Sequence, residues 1–187
     1  SGFLPPDGVF DPNSRGATNA MGINNSGEVV GWGWVGPGRY QGFFWSAGNF
    51  VSLRPIAGPK SWALDVNDSG MIVGWSHADI SGSSQVAVLW DNYIPVNLHS
   101  WLGSVFYRSL ALGINSSSEV IGMADIDGSR RHAVYWNYEF KTSIDLENLP
   151  GVTIEYVDAN SINDDGVIVG DTLISETPFT YRAVRWV

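Results

Sequence analysis

An all-β fold of tandem sheet units follows from three observations. A turn motif recurs four times, a tryptophan recurs four times in phase with it, and no stretch shows a sustained 3.6-residue apolar period. The turn motif is Gly22-Ile23-Asn24-Asn25-Ser26-Gly27-Glu28-Val29-Val30-Gly31 in its first copy. Its later copies carry their Asn at Asn67, Asn115 and Asn163 and their closing glycine at Gly74, Gly122 and Gly170. The second marker, a Trp ending a short apolar run, falls at Trp45, Trp90, Trp136 and Trp186. Two markers in phase over four copies define units of about 45 residues, the length of a four-stranded propeller blade.

Each unit reads as four short strands. In the second, residues 61–67 form a strand, Asp68-Ser69-Gly70 a tight turn, and residues 71–76 a second strand rich in branched apolar side chains. Residues 85–90 are the third strand, and Asp91-Asn92 turns the chain into a fourth over 93–98. On the first strands Ala20, Ala63, Ala111 and Ala159 stand four residues before the repeated Asn, and Gly22, Asp65, Gly113 and Ser161 two before it. A period-two face of small groups is expected at a crowded axis. Ile23, Val66, Ile114 and Ile162 are expected to pack between units, and the repeated in-strand glycines to mark close backbone approach.

One sheet cannot bury both of its faces alone, so stacking the units into a ring is the expected solution. The expectation is a single domain over residues 1–187, a four-bladed β-propeller with repeats at about 17–55, 60–99, 108–149 and 156–187 plus 1–6. The fourth unit ends after its third strand, at Trp186-Val187. Gly2-Phe3-Leu4-Pro5-Pro6 is similar to the fourth strands of other units and is expected to complete the last blade. Proline suits an edge strand, where a missing N–H costs little.

Gly-Ile-Asn, a turn, Val-Val-Gly, and a His-Ala-Phe-like triplet before Trp together resemble the bacterial HAF-type extracellular repeat. The triplet is best kept in His132-Ala133-Val134-Tyr135-Trp136, and departs in Gln41-Gly42-Phe43-Phe44-Trp45, Val86-Ala87-Val88-Leu89-Trp90 and Arg182-Ala183-Val184-Arg185-Trp186. The resemblance spans nearly the whole chain. It implies an extracellular or cell-surface location, or a periplasmic one, and brings no catalytic residues with it.

Composition narrows the function classes. Ten Lys and Arg against nineteen Asp and Glu give a net charge of -9, which offers no electrostatic footprint for a phosphate backbone; nucleic acid is not an expected partner. No apolar run reaches the roughly 18 residues that a spanning helix needs, so membrane insertion is not expected. The absence of Cys decides no compartment. Three His without ligand spacing argue against zinc, and neither a Gly-x-Ser-x-Gly elbow nor a phosphate-binding glycine loop occurs. No cofactor or metal is expected.

Strand order sends the first-to-second and third-to-fourth turns to one rim, and the longer, variable connections to the other. Variable loops on a regular scaffold are where binding resides. The residues there that packing does not demand include Trp34, Arg39, Tyr40, Trp62, Trp101, Tyr107, Arg108 and Arg130, the candidate ligand-binding set. Aromatic rings beside Arg suit a sugar face or a protein partner, and Trp34, Trp62 and Trp101 are equally suited to plugging the mouth of a ring. The repeated Trp residues read as structural. Asp125-Ile126-Asp127-Gly128 is similar to the start of a calcium loop, but Arg130 and Arg131 favour a hairpin turn. The sequons at Asn24, Asn67 and Asn115 read as turns.

The expected function is therefore a non-catalytic binding module for a carbohydrate or protein. One alternative is a glycoside hydrolase or lyase with axial carboxylates Asp65 and Asp158; another is a purely structural repeat.

Overall fold

The computed structural model describes residues 18–146 and 150–187. They form four antiparallel sheets, each a meander in chain order. Sheet one comprises β1 (Thr18–Ile23), β2 (Val29–Gly36), β3 (Arg39–Ser46) and β4 (Asn49–Leu53). Sheet two comprises β5 (Ser61–Val66), β6 (Ile72–His77), β7 (Gln85–Asp91) and β8 (Ile94–Asn97). Sheet three holds β9 (Arg108–Ile114), β10 (Glu119–Asp125), β11 (Arg131–Asn137) and β12 (Thr142–Leu146), and sheet four β13 (Val157–Ile162), β14 (Ile168–Glu176) and β15 (Phe179–Trp186). The sole helical element among the described residues is one 3-10 turn, Leu98–Trp101. The strands expected in the second unit match within a residue or two. The expected closing strand at Gly2 to Pro6 lies outside the described residues.

The sheets stack in chain order, each packing its first strand against the sheet before it. Among the described residues they form no closed ring. Three apolar clusters fill the three interfaces, with Val30 and Val66 in the first, Val73 and Ile114 in the second, and Ile121 and Ile162 in the third. These pairs occupy the same slots in successive units. The fourth such pair, Val169 and Ile23, is uncovered: Val169 is 45% exposed where Val30, Val73 and Ile121 are at 0%, and Ile23 is 68% exposed where Val66 is at 4%.

One turn chemistry repeats at one rim. The side-chain carbonyl of each repeated Asn accepts the backbone N–H four residues on, from Glu28, Met71, Glu119 and Val167, at 2.9 to 3.0 Å. The side-chain amide reaches the next sheet: Asn24 donates to the Asn67 carbonyl at 3.0 Å, Asn67 to Asn115 at 3.0 Å, and Asn115 to Asn163 at 3.1 Å. The first three of these Asn residues are buried, so each rung satisfies polar groups that water does not reach. The ladder fixes all four turns to a common rim and sends the second-to-third strand connections to the other.

A shared bulge explains the repeated glycines and corrects the expected axial face. Each first strand carries one extra residue, Met21, Leu64, Leu112 or Asn160, at the point where pairing with the second strand shifts. The bulge sets the carbonyl of Asn19, Trp62, Leu110 or Asp158 against the repeated glycine, so that a Cβ at Gly31, Gly74, Gly122 or Gly170 would collide with it. It also breaks the period of two. Ala63 pairs with Gly74 and Asp65 with Val73, consecutive partners whose side chains leave opposite faces. Ala63 and Ala111 therefore join Val66 and Ile114 between sheets rather than lining an axis.

Two of the repeated Trp residues are structural. Trp90 and Trp136 are fully buried, and their indole N–H groups donate to the Arg54 and Leu98 carbonyls at the end of the preceding sheet, at 3.0 and 3.1 Å.

Candidate functional site

The variable rim between sheets one and two holds the densest group of aromatic rings. Trp62, on the first strand of sheet two, stacks on Trp32 of β2 at 4.1 Å between centroids with planes 6° apart. Its neighbour Trp75 on β6 lies 5.1 Å away, and His77 continues the row at 5.7 Å from Trp75. Tyr40 meets Trp32 and Trp62 edge-on at 5.6 and 6.5 Å. The Lys60 ammonium stands 5.7 Å over the Tyr40 ring, where the two residues bridge β3 to the entry of sheet two. Such offset and edge contacts are favourable beyond the area they bury. Trp32, Tyr40 and Trp62 remain half-buried rather than enclosed.

Local sequence builds this row. Trp32 follows Gly31 by one position, and Trp75 follows Gly74 likewise; units three and four have Met123 and Asp171 in that slot. Trp34 lies on the same side of β2 as Trp32, paired with Tyr40 beside the Pro37-Gly38 tip. Burial and the Lys60 charge hold the His77 imidazole below its ordinary range. Within the 78–84 loop, Asp79 accepts from the Ser81 hydroxyl and from the backbone of Ser83 and Ser84 at 3.1 and 2.6 Å, which holds its carboxyl below the usual range.

On the other face of the β3–β4 hairpin is a groove of about 570 Å³, whose lining includes Val35, Arg39, Gln41, Ser52, Arg54 and Pro55. Ser52 donates to the Gln41 side-chain carbonyl at 2.6 Å. Among the described residues, neither Arg39 nor Arg54 is in an ion pair.

The same slots two interfaces further on, between sheets three and four, carry charge. Arg131, Asp125 and Asp158 correspond to Tyr40, Trp34 and Trp62. Asp125 is buried and accepts from Arg108 at 3.1 Å and Arg131 at 2.7 Å, and Arg131 reaches Asp158 at 3.4 Å. Burial opposes the Arg131 charge, yet bonding to Asp125 and the field of Asp158 hold its guanidinium above the ordinary range. Its carbon lies 4.6 Å over the Tyr156 ring. Tyr156 fills the slot of Lys60 and Arg131 that of Tyr40, so the cation and the ring have changed places.

The expected ligand-binding set is thus divided. Trp34, Arg39, Tyr40 and Trp62 gather at one end of the variable rim. Trp101 stands apart: it packs on Tyr138 at 6.3 Å and on the core between sheets two and three. Tyr107 is exposed, while Arg108 is held by Asp125 and Arg130 by Asp127 at 2.7 Å. Asp127 also accepts from the Ser129 and Arg130 backbone, as a hairpin turn requires. Among the described residues no cluster of three or more His, Cys, Asp or Glu is arranged to hold a metal ion. Asp65 and Asp158 do not form an axial pair. Asp65 accepts from Ile114 N–H at 3.0 Å and Val66 N–H at 2.9 Å, whereas Asp158 occupies the slot of Trp62, three residues up the strand, or roughly 10 Å at the strand rise. Burial raises both carboxyls above their ordinary value.

Sequence reasoning missed Trp32, Trp75, Gln41 and Arg54. The signal for the first two was a Trp shared by units one and two, and lost in units three and four, in the slot after the repeated glycine. No protein-family model matches the chain, and no curated protein matches it.

Proposed function

We propose that this chain is a non-catalytic carbohydrate-binding module of an exported bacterial protein, built as a four-bladed β-propeller. The observation that carries the binding reading is the half-buried group of Tyr40, Trp32 and Trp62 on the variable rim, backed by the buried Trp75 and bordered by Lys60. Flat aromatic surface next to charged donors fits the apolar face and hydroxyl edge of a sugar. Export is supported by the resemblance to the HAF-type repeat. A glycan array probed with the native chain and a Trp32→Ala/Trp62→Ala variant tests the binding reading. The native chain is expected to give discrete signals that the variant loses; signals retained by the variant refute the assignment. Capture of a protein by the same residues, with a blank array, would favour a protein ligand instead.

The propeller reading is supported by the equivalence of the three filled interfaces to the uncovered pair Val169 and Ile23. Closure brings that pair together, as Val30 and Val66 lie in one cluster. Since the chain has no Cys, an Ile23→Cys/Val169→Cys variant reports closure cleanly. An intramolecular disulfide in the monomer is expected. Free thiols, or a disulfide between two copies, would refute the closed ring.

A further inference from the structure

We infer that the groove lined by Arg39 and Arg54 binds the carboxylate of a uronate-bearing polysaccharide, an inference that rests on the carbohydrate reading and names its substrate class. The polar side chains of the lining are Arg39, Arg54, Gln41 and Ser52, beside the apolar Val35, Pro55 and Ala57. Ser52 occupies the Gln41 side-chain carbonyl, which leaves the Gln41 amide N–H groups to face the groove with the two guanidinium groups, and no carboxylate is among the lining residues. On a chain of net charge -9, two arginines with no ion pair among the described residues are a local reversal. The volume of about 570 Å³ falls within the roughly 300–1,000 Å³ of small-ligand sites.

The fold itself does not demand positive charge here. Sheet three carries an equivalent groove of about 540 Å³, with His132 in the slot of Gln41, Asp145 in that of Ser52, and Leu146 in that of Leu53. There His132 Nδ1 lies 2.6 Å from Asp145, and Glu155 adds a second carboxylate. In the slot of Arg39 sheet three has Arg130, paired with Asp127 at 2.7 Å, so the scaffold accepts acid beside an ion-paired arginine in one copy and arginines with no carboxylate among the described residues in the other. The groove of sheet three stays open although sheet two is stacked before it; a sheet stacked before sheet one would leave its counterpart open as well.

Among anionic sugars, the planar fork of a guanidinium matches a carboxylate with two parallel hydrogen bonds.

The full chain is titrated at low salt with polygalacturonate, with its methyl ester, and with a sulfated neutral polysaccharide. Polygalacturonate is expected to bind at least tenfold more tightly than the ester. An Arg39→Gln/Arg54→Gln variant, with its unfolding midpoint unchanged, is expected to lose that tenfold preference. A preference that survives in the variant overturns the inference, as does equal, arginine-dependent binding of the sulfated polymer. If acid and ester bind alike and both need Trp62, this inference fails while the carbohydrate reading stands. If no polymer binds, both fail.

Discussion

Replacing Asn67 by Ala tests whether the amide ladder holds the sheets together. Asn67 is 5% exposed, donates to the Asn115 carbonyl at 3.0 Å, and accepts from Met71 N–H at 2.9 Å and Ser69 N–H at 3.2 Å. Its loss removes one cross-sheet bond and strips two turn amides of their acceptor. At about 1 kcal/mol for each bond, the sum is about 3 kcal/mol. For a chain of this length that lowers the melting temperature by roughly 6–12 °C. Asn67→Asp separates the two contributions, because a carboxylate keeps the turn acceptor but sets an acceptor against the Asn115 carbonyl. The control is Asn25→Ala, whose bond to Asp68 at 2.7 Å is exposed and is expected to cost no more than about 0.5 kcal/mol. Urea unfolding with an unchanged slope measures all three. A loss below about 1 kcal/mol in Asn67→Ala, or one equal to the Asn25→Ala control, would refute the ladder as a stabilising element.

Three further outcomes follow from particular contacts. Gly74→Ala drives a Cβ into the Trp62 carbonyl and is expected to cost at least about 3 kcal/mol, whereas Gly128→Ala, with open space around it, should stay within about 0.5 kcal/mol in the same titration. Burial raises the Asp65 carboxyl, so the folded state holds that proton more tightly than the unfolded chain does. Its contribution is complete below the unfolded value of 3.8 and is lost as pH rises through the folded value. The stability of Asp65→Asn relative to the native chain should therefore improve between pH 3 and pH 7, and a flat difference would count against burial as the cause. Tyr40→Arg combined with Lys60→Tyr installs the arrangement of Arg131 over Tyr156 at the first interface. A double-mutant cycle should give a favourable coupling of about 0.5–1 kcal/mol, and a coupling of zero would show that the contact contributes nothing.

The repeat made the sheets legible, because a hydrophobic alternation bounded by Asn-containing turns leaves little choice of strand or register. Trp90 and Trp136 were equally plain, since a side chain that returns once per unit is answering a need of every unit. The bulge at Leu64 was not legible. An extra residue changes which side chains share a face without changing the apolar pattern on either side of it, and a strict period of two therefore assigned Ala63 to the wrong face. The site was legible in part. Trp62 and Tyr40 were visible as unrepeated residues on a variable rim, but their stacking with Trp32 depends on how one sheet leans on the next. Trp101 belongs with Tyr138 for the same reason: the 3-10 turn at Leu98–Trp101 redirects the connection toward the core between sheets two and three.

The interfaces show how one scaffold separates fixed packing from a variable rim. The slots of Val30 and Val66 are filled by aliphatic groups at every filled interface, and Ser61 and Ser109 occupy one slot, each accepting a backbone N–H from the sheet before it, from Gly42 at 3.1 Å and Ala87 at 2.9 Å. Those contacts lie below the variable rim and answer to packing alone. Above them the constraint relaxes: the slot of Trp62 holds Leu110 and Asp158 in later units, and that of Trp34 holds His77 and Asp125. Where the rim carries charge, Asp125 and Asp158 bind Arg108 and Arg131 and the groups satisfy one another. Where it carries rings, Trp32, Tyr40 and Trp62 stack but keep surface open, and Arg39 and Arg54 have no carboxylate to answer them among the described residues. An ion-paired rim uses its charges for its own stability, whereas a ring-lined rim whose arginines have no ion pair among the described residues retains the capacity to bind something else, which is why the first interface rather than the third is the proposed site.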